Sequence, residues 1–221
     1  MSVKHEQDLN CGGAYIKLLG DMDQSKFGGD TPYQVMFGPD ICGPSNKKTH
    51  VIFNYLPKNE NLLIKDQVKV ESDNLSHLYT LVVKPDNTFE VLIDLVTVKS
   101  GTLVDNWDFL ASHHVPDVAV SESNSATDEC SAATTEEAAL HVRCTDCTHI
   151  GLEFWQSRAG TIFDDIIVTD SLEEAKAYAA ETFLKKQGPE KEKYEAARHS
   201  RDGIVLITYP ARFCAFFSAF L

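Results

Sequence analysis

The sequence has no surplus of positive charge. Its 20 Lys and Arg residues stand against 33 Asp and Glu residues, which gives a formal net charge of -13 with neutral histidines. Nucleic acids carry closely spaced phosphates, and the proteins that bind them need a basic surface. The charge therefore argues against a nucleic-acid-binding protein. It permits weak association with calcium, although scattered acidic residues are more often a feature of a soluble surface.

The sequence also lacks recognisable targeting signals. Its start, Met1–His5, has no apolar segment of the kind found in signal peptides. Its last residues do not form a retrieval tetrapeptide of the Lys-Asp-Glu-Leu type. The tail 200–221 is apolar from Ile204 onward but contains Pro210 and Arg212. Because a central arginine costs roughly 2.5–3.5 kcal/mol on insertion scales, the sequence disfavours membrane anchoring by this tail.

What the sequence does contain is enough apolar material for a core and a series of strand-like segments. The hydrophobic share is 43%, which argues against wholesale disorder. Pro85-Asp86-Asn87 is typical of a hairpin turn. Short β-branched or aromatic segments bounded by Gly, Pro, Asp or Asn predict strands at 14–19, 33–37, 50–55, 79–84, 88–96, 152–155 and 162–168. Several strands with few helices predict a mainly β protein, an antiparallel β-sandwich.

A helix is predicted after the last strand. Ser171 and Glu174 fit a capping box, in which a serine at the N-cap is followed by glutamate three residues on. The Ala- and Glu-rich run predicts a helix to about Gln187, where Gly188-Pro189 is expected to end it. Residues 190–199 are expected to add a charged helical piece.

The most informative stretch is Lys4–Leu19. The double glycine of Cys11-Gly12-Gly13 is expected to form a tight turn, since glycine reaches backbone conformations that other residues avoid. Strand alternation then places Tyr15 and Lys17 on one face, and Ala14, Ile16 and Leu18 on the other. The second face is apolar enough to be core. The first offers an aromatic ring beside a cationic donor, a combination suited to binding a sugar.

This stretch resembles a signature of the calreticulin/calnexin family, the lectin chaperones of the endoplasmic reticulum that bind glycoproteins. The segments HVIFNY and DNWDFL are closer in sequence to the calreticulin branch of the family than to the calnexin branch. The resemblance implies a jelly-roll, legume-lectin-like fold over residues 1–110 and 151–170, to which the capping box and the composition add a C-terminal α-helix over 171–199. Further matches follow in the family's order at Met36–Gly43, Lys47–Tyr55, His77–Leu81, Lys84–Asn87, Asp105–Leu110, Gly151–Gln156 and Gly160–Asp164.

The resemblance also implies a set of carbohydrate-binding residues. Tyr15 would be a platform and hydroxyl partner, Lys17 a donor and Asp40 an acceptor, because sugar sites pair apolar platforms with polar groups that fix the hydroxyls. Tyr33 and Met36 are three residues apart, and an ideal strand would place them on opposite faces, so a bend or loop near Pro32 is expected to bring them together. The positions that keep the family's residue types are Tyr15, Lys17, Tyr33, Met36, Asp40 and Ile52.

Glu153 stands where the family carries an aspartate that contacts the sugar. Its extra methylene moves the carboxylate by roughly 1.5 Å. Trp155, two residues further on, is predicted to share its strand face, either as core or as lining of the site.

Cys11 and Cys42 match the family's lectin-domain disulfide, and two free buried thiols are the alternative. Asp164 matches one family ligand for Ca2+, but its partners in the family come from an earlier part of the chain that is absent here. Calcium takes about six to eight oxygen ligands, so Asp164 alone cannot hold the ion.

Residues 111–150 differ in composition from the rest of the chain. The segment Ser121–Thr135 is rich in Ser, Thr, Ala and acid, which predicts disorder. In calreticulins this position holds a proline-rich arm of repeats that recruits a protein disulfide isomerase, and no such repeats occur here.

The same insert contains a compact Cys/His cluster, which is too cramped for a usual zinc finger. A metal site, a redox pair and an adventitious binder are the alternatives, and the pairing of Cys130, Cys144, Cys147 and Cys214 stays open. The cluster consists of His141, Cys144, Cys147 and His149.

Three functions follow as hypotheses. The resemblance implies a lectin chaperone of the endoplasmic reticulum lumen that binds monoglucosylated N-glycans on folding glycoproteins, with calcium binding in the family. A glycoside hydrolase would need paired carboxylates, for which Asp40 and Glu153 are the candidates. A truncated or mis-spliced product without lectin activity is the third, because the family carries further lectin-domain sequence before the point where this chain starts.

Overall fold

In the part of the chain that the structure describes, ten strands form two antiparallel five-stranded sheets. The structure is a computed structural model that describes residues 1–56, 58–109, 144 and 146–217, with the backbone alone described for 201–217. In spatial order, the first sheet contains β5 (Glu60–Leu63), β4 (Asn46–Tyr55), β3 (Val35–Cys42), β2 (Cys11–Leu19) and β9 (His149–Gln156). The second contains β10 (Thr161–Asp164), β1 (Ser2–His5), β6 (Ser76–Val83), β7 (Thr88–Ile93) and β8 (Val96–Thr102).

The two sheets pack through an aromatic core, as expected for a sandwich. Trp107 lies between them at 1% exposure, with its ring centroid 5.0 Å from Phe53 on β4 and 4.9 Å from Phe89 on β7. Its indole N–H donates to the backbone oxygen of Val51 over 3.3 Å. An indole N–H is costly to bury without an acceptor, so this bond fixes the ring's orientation. The predicted β-sandwich is confirmed.

The strand predictions hold for the central strands and miss three others. Strands β1 and β5 are absent from the prediction, and the predicted strand 88–96 covers β7 but reaches only Val96, the first residue of β8. The chain reverses between them at Asp94 and Leu95, which have φ angles of 52° and 65°. Left-handed conformations are rare for a leucine, so no simple turn signal marks this hairpin. The hairpin predicted at Pro85-Asp86-Asn87 is present between β6 and β7.

Among the residues that the structure describes, the helices are α1 (Leu103–Asn106), α2 (Leu172–Glu181) and α3 (Phe183–Phe217), preceded in the chain by a short 3-10 helix at Gln24–Lys26. The chain divides into two compact units, one made of Met1 and Val3–Asp164 and the other of Ser2 and the residues from Asp165 onward. Helices α2 and α3 belong to the second unit.

The predicted start of the C-terminal helix is confirmed and its predicted end is wrong. Ser171 Oγ accepts from the Glu174 N–H over 3.2 Å, as an N-cap should. Helix α3 continues through Gly188-Pro189, although an interior proline removes a hydrogen bond and costs about 3 kcal/mol. The interruption is at Thr182 (φ −111°, ψ −82°), whose hydroxyl donates to the Tyr178 oxygen over 2.7 Å.

Several predictions fall on residues outside the described ones. They include the disorder expected at 121–135, the ligand role considered for His141, and most of the insert 111–150. Within the described part of the chain, no helix combines the length and apolarity that a membrane crossing demands.

Candidate functional site

The outer face of the first sheet brings six of the seven candidate residues together. Residues directly opposite each other in an antiparallel ladder point to the same face. Lys17 lies opposite Met36, which lies opposite Ile52, and Tyr15 lies opposite Glu153. Asp40 joins the same face through its partner Gly13. The prediction that Tyr15 and Lys17 lie on the same face of the strand is therefore confirmed.

The seventh candidate, Tyr33, reaches the site from a loop. Strand β3 starts at Val35, so Tyr33 lies in the loop that connects β2 to β3. The alternation of side chains along a strand therefore does not apply to it. The centroid of its ring is 4.8 Å from Lys17 Nζ, a cation–π distance. The loop expected near Pro32 is thus present, and it places Tyr33 over the row that contains Lys17 and Met36.

Lys17 is the most constrained charge of the site. It is 1% exposed, and its Nζ forms an ion pair with Glu153 Oε2 and donates to the Gly29 oxygen over 3.1 Å. A buried ammonium is tolerated when paired and hydrogen-bonded, and removal of one partner of such a pair is strongly destabilising. Glu153 keeps 24% of its side chain exposed. The pair therefore presents a fixed donor and a carboxylate at the surface of the sheet.

A second polar group lies around Asp40. Its carboxylate accepts from the Tyr15 hydroxyl and from Asn46 Nδ2, the latter over 3.1 Å, and His50 Nε2 is 3.1 Å away. The His50 ring stacks on Tyr15 with a centroid distance of 5.7 Å and an interplanar angle of 15°. This group therefore consists of the buried phenol of Tyr15, the imidazole of His50, the amide of Asn46 and the carboxylate of Asp40.

Burial sets the protonation states in this group. It raises the pKa of the Tyr15 phenol far above its usual value, and the charges of Asp40 and Glu153 add to the effect. It also lowers the pKa of His50, helped by Lys48 and opposed by Asp40. Both rings are therefore neutral at neutral pH, where they can exchange hydrogen bonds with hydroxyl groups without a change of charge.

A cavity of about 450 Å³ opens beside Lys17. Four candidate residues line it, and Tyr15, Asp40 and Ile52 do not. Its far wall is an amide cluster in which Asn54 Nδ2 donates to Asn59 Oδ1 over 3.3 Å and to Asn61 Oδ1 over 3.0 Å. The lining consists of Lys17, Gly29, Asp30, Thr31, Pro32, Tyr33, Met36, Asn54, Asn59, Asn61 and Glu153.

Sequence reasoning missed the amide cluster and His50. Asn54 lies two residues after Ile52 on β4, so strand parity alone could have placed it on the candidate face. Asn59 and Asn61 come from the turn before β5 and from β5 itself, a strand that was not predicted. His50 lies opposite Gly38.

The predicted tight turn at Cys11-Gly12-Gly13 is wrong. Both glycines lie inside β2, paired with β3 on one side and β9 on the other. A Cβ on Gly13 would lie 2.0 Å from the Tyr15 hydroxyl oxygen, and one on Gly12 would lie 2.7 Å from the Trp155 backbone oxygen. Glycine is needed here for close approach rather than for chain reversal.

Two disulfides are present in the described residues. Cys11 and Cys42 lie directly opposite each other at the ends of β2 and β3, with Cα atoms 3.8 Å apart, and are joined. Cys144 and Cys147 are joined as well. The alternative of two free thiols at Cys11 and Cys42 is therefore not what the structure contains.

Trp155 lies opposite Gly13, and its side chain is 62% exposed. Core packing was one of its two predicted roles, and that role is wrong. The indole shares the face of Glu153, at the edge strand of the sheet.

Known proteins resemble this chain in both sequence and structure. A model of the calreticulin family matches residues 1–129. Calreticulin of Chlamydomonas reinhardtii is 34% identical over 278 aligned residues, covering 89% of this chain and 64% of the relative. Calreticulin of Cricetulus griseus is 54% identical over 117 residues, covering 52% of this chain and 28% of the relative. This chain belongs to the calreticulin family.

A solved structure extends the likeness to the fold. The T. cruzi calreticulin globular domain matches with a TM-score of 0.70 and 36% sequence identity, covering 89% of this chain and 72% of that one. Calreticulin-family proteins are chaperones and not enzymes, so the hydrolase hypothesis for Asp40 and Glu153 is not carried further. The chain spans 64% of the length of the Chlamydomonas reinhardtii calreticulin.

The calcium site implied by the calreticulin resemblance does not fit the residues in hand. Asp164 ends β10. Across the described ranges, no group of three or more His, Cys, Asp or Glu residues is arranged to hold a metal ion. Calcium takes six to eight oxygens, so no role in this chain is derived from the ion.

Proposed function

We propose that this chain is a lectin module that binds the terminal glucose of monoglucosylated N-glycans on folding glycoproteins in the lumen of the endoplasmic reticulum. The observation that carries the proposal is the shared face of Tyr15, Lys17, Met36, Asp40, Ile52 and Glu153, with Tyr33 above it. Membership of the calreticulin family makes glycoprotein clients the expected partners.

The chemistry of this face suits a pyranose. The Tyr33 ring and the side chains of Met36 and Ile52 offer apolar surface to the C–H face of the sugar. The Lys17 ammonium has three N–H donors, of which Glu153 and Gly29 account for two. The third can donate to a sugar hydroxyl, and a Glu153 carboxylate oxygen can accept from one.

The ion pair between Lys17 and Glu153 gives the site its selectivity for a hydroxyl-rich ligand. A buried pair is already desolvated, so an apolar ligand placed on it would leave its remaining donors and acceptors unsatisfied. A ligand with adjacent hydroxyls can satisfy both the remaining Lys17 donor and the remaining Glu153 acceptor. Neither side chain has to move far, because each is held by the other.

Calcium binding and recruitment of a protein disulfide isomerase are not part of this proposal. The first lacks a ligand set among the described residues. The second depends in the family on the proline-rich arm, whose repeats the sequence does not contain.

Isothermal titration of the chain with a glucosylated tri-mannose oligosaccharide, and with the same oligosaccharide lacking glucose, tests the proposal. We expect binding of the glucosylated ligand alone. Lys17→Met and Asp40→Ala should each weaken it by about tenfold or more, since a hydrogen bond to a charged group contributes about 1.5–3 kcal/mol. Lys26→Met is the matched control, because the Lys26 side chain is 82% exposed and lies outside the cavity.

A thermal scan distinguishes this proposal from the hypothesis of a product without lectin activity. A cooperative transition whose midpoint temperature rises when the glucosylated ligand is added supports the lectin proposal, because a ligand that binds the folded state stabilises it. Equal affinity for the two oligosaccharides, or a cooperative transition that no ligand shifts, would contradict it.

A further inference from the structure

A Cys-x-x-C disulfide lies outside the candidate carbohydrate site. Cys144 and Cys147 are bonded, with their Cα atoms 5.3 Å apart. Neither lines the cavity beside Lys17. In the disulfide, neither sulfur is available as a thiolate ligand for a metal. Of the alternatives that the sequence leaves open for these cysteines, a redox role or no role therefore remains.

This disulfide is poorly suited to stabilise the fold. Its cysteines are three residues apart, whereas Cys11 and Cys42 are 31 apart and join two strands. In the chain-entropy model, the stabilisation that a disulfide provides increases with the length of the loop it closes. For a four-residue loop the model gives about half the stabilisation of a loop of about 30 residues. Cys144–Cys147 therefore stabilises the fold less than Cys11–Cys42 does, and it does not join two strands.

The position of the pair favours contact with other molecules. Both cysteines are partly exposed to solvent. The Thr148 N–H donates to the Leu19 oxygen over 3.0 Å, which attaches the segment to the end of β2 where β9 begins. Cys147 precedes Gly151, the strand partner of Lys17, by four residues. Four residues of fully extended chain span at most about 14 Å, so Cys147 lies within that distance of Gly151.

We propose that Cys144 and Cys147 are a redox-active pair that exchanges its disulfide with cysteine thiols of unfolded polypeptides. A substrate thiolate attacks one sulfur, forms a mixed disulfide and releases the other sulfur as a thiolate, which takes up a proton. A second substrate thiol then displaces the first cysteine. The substrate loses two electrons and two protons and gains a disulfide, and Cys144 and Cys147 become thiols. Glutathione disulfide reoxidises them and yields two glutathione thiols.

The pair's place on the sheet connects this activity with the candidate lectin face. If a glycan occupies that face, its polypeptide is tethered near Cys144 and Cys147, and the exchange becomes effectively intramolecular. This acceleration rests on the proposed lectin function. The exchange reaction itself does not, because any accessible dithiol can undergo it.

The first experiment measures the redox equilibrium of the full chain in a Cys130→Ser, Cys214→Ser background. The protein is equilibrated in glutathione buffers of graded ratio, alkylated and analysed by peptide mass spectrometry. We expect Cys144–Cys147 to interconvert between disulfide and dithiol while Cys11–Cys42 stays oxidised. Persistence of both disulfides through every buffer, or their joint reduction only on unfolding, would overturn the proposal.

The second experiment follows oxidation of a reduced two-cysteine peptide by the chain with glutathione disulfide. The rate should fall by about tenfold or more in the Cys144→Ser, Cys147→Ser variant, because direct reaction with glutathione disulfide is the remaining path. Equal rates would contradict the proposal. A Cys147→Ser or Cys144→Ser single variant that traps a mixed disulfide with the peptide supports it without requiring the double variant to fold.

A glycosylated version of the same peptide separates the two proposals. Attachment of a glucosylated glycan should accelerate oxidation by about tenfold or more, since short tethers give effective concentrations on the order of millimolar. An excess of the free glucosylated tri-mannose oligosaccharide should remove that acceleration by competition and leave oxidation of the unglycosylated peptide by the same unaltered chain unchanged. Oxidation of the plain peptide without glycan acceleration would contradict the lectin proposal and retain the redox pair.

Discussion

At the level of single residues, Gly13 determines where the Tyr15 ring can lie. The two residues are neighbours on one face of β2, and a Cβ at position 13 would lie 2.0 Å from the Tyr15 hydroxyl oxygen and 2.1 Å from Cζ. Tyr15 is 7% exposed and hydrogen-bonded to Asp40, so its ring has little room to turn away. The site therefore depends on a residue that has no side chain.

We predict that Gly13→Ala displaces the Tyr15 ring and weakens glucosylated-glycan binding by about tenfold, the effect of losing a hydrogen bond worth about 1.4 kcal/mol. Titration calorimetry measures the affinity. Gly20→Ala is the matched control, because its Cβ would be 3.7 Å from the nearest atom. Binding by Gly13→Ala at wild-type affinity would mean that the Tyr15 ring does not contribute.

Strand alternation was sufficient to predict the faces of Tyr15 and Lys17, since it depends on local geometry alone. The partners of these residues could not be predicted in that way. The Lys17–Glu153 pair joins residues 136 positions apart in the chain, and His50 contacts Tyr15 across an intervening strand. Such contacts depend on strand order, which hydrophobic periodicity does not contain.

At the level of secondary-structure elements, the Cys11–Cys42 disulfide joins β2 and β3 at directly opposite positions. We predict that Cys11→Ser lowers the free energy of unfolding by about 3–4 kcal/mol, because the bond closes a loop of about 30 residues. Chemical denaturation measures the loss. The Cys144→Ser, Cys147→Ser variant is the control and should lose less, since its loop is much shorter. Similar losses in both variants would argue against the loop-length explanation.

Helix α3 contains a glycine that the fold does not require. Gly188 lies in the helix interior, and a Cβ there would have no atom within 4 Å. Gly188→Ala should therefore stabilise the helix by about 0.8–1 kcal/mol through propensity alone. Amide hydrogen exchange over residues 183–200 measures the change. Slower exchange is expected, and unchanged exchange would indicate that the helix around Gly188 is not formed in solution.

The helices also show where sequence patterns are reliable. The Ser171 N-cap depends on a side-chain oxygen whose donor, the Glu174 N–H, is only three residues away, so a local motif identified it. Gly188-Pro189 is an equally local signal for a helix end, but the cost of a proline can be outweighed by the turns on either side of it. The break at Thr182 carries no such signal.

At the level of the whole molecule, the raised pKa of His77 makes stability depend on pH above about 6.5. His77 is 13% exposed, and its two nitrogens lie 2.8 Å from Asp94 Oδ2 and from Asp73 Oδ1. Burial alone would lower its pKa, but the hydrogen bonds and charges of Asp94 and Asp73 outweigh that effect and raise the pKa of His77 to about 9. His5 also interacts electrostatically with His77.

A raised pKa in the folded state stabilises the fold while the group is protonated. The contribution of His77 is complete below its unfolded pKa of 6.5 and is lost as the pH rises through about 9. Its upper bound is roughly 3 kcal/mol, since one pKa unit corresponds to about 1.4 kcal/mol. We therefore predict a fall in the free energy of unfolding between these pH values, measured by urea denaturation, that is largely absent in His77→Gln.

His199→Gln is the control for this titration, because His199 is exposed in α3. It should keep the wild-type pH dependence. A His77→Gln variant with the same pH dependence as the wild type would show that another group is responsible.

The two tryptophans of the chain occupy opposite extremes of environment: Trp107 is 1% exposed between the sheets, and Trp155 is 62% exposed beside Glu153. Their fluorescence can therefore be separated without labels. Iodide, which is excluded from the core, should quench Trp155 emission and spare that of Trp107. The quenchable fraction then reports occupancy of the candidate face, while the unquenched emission reports the integrity of the sandwich in the same sample.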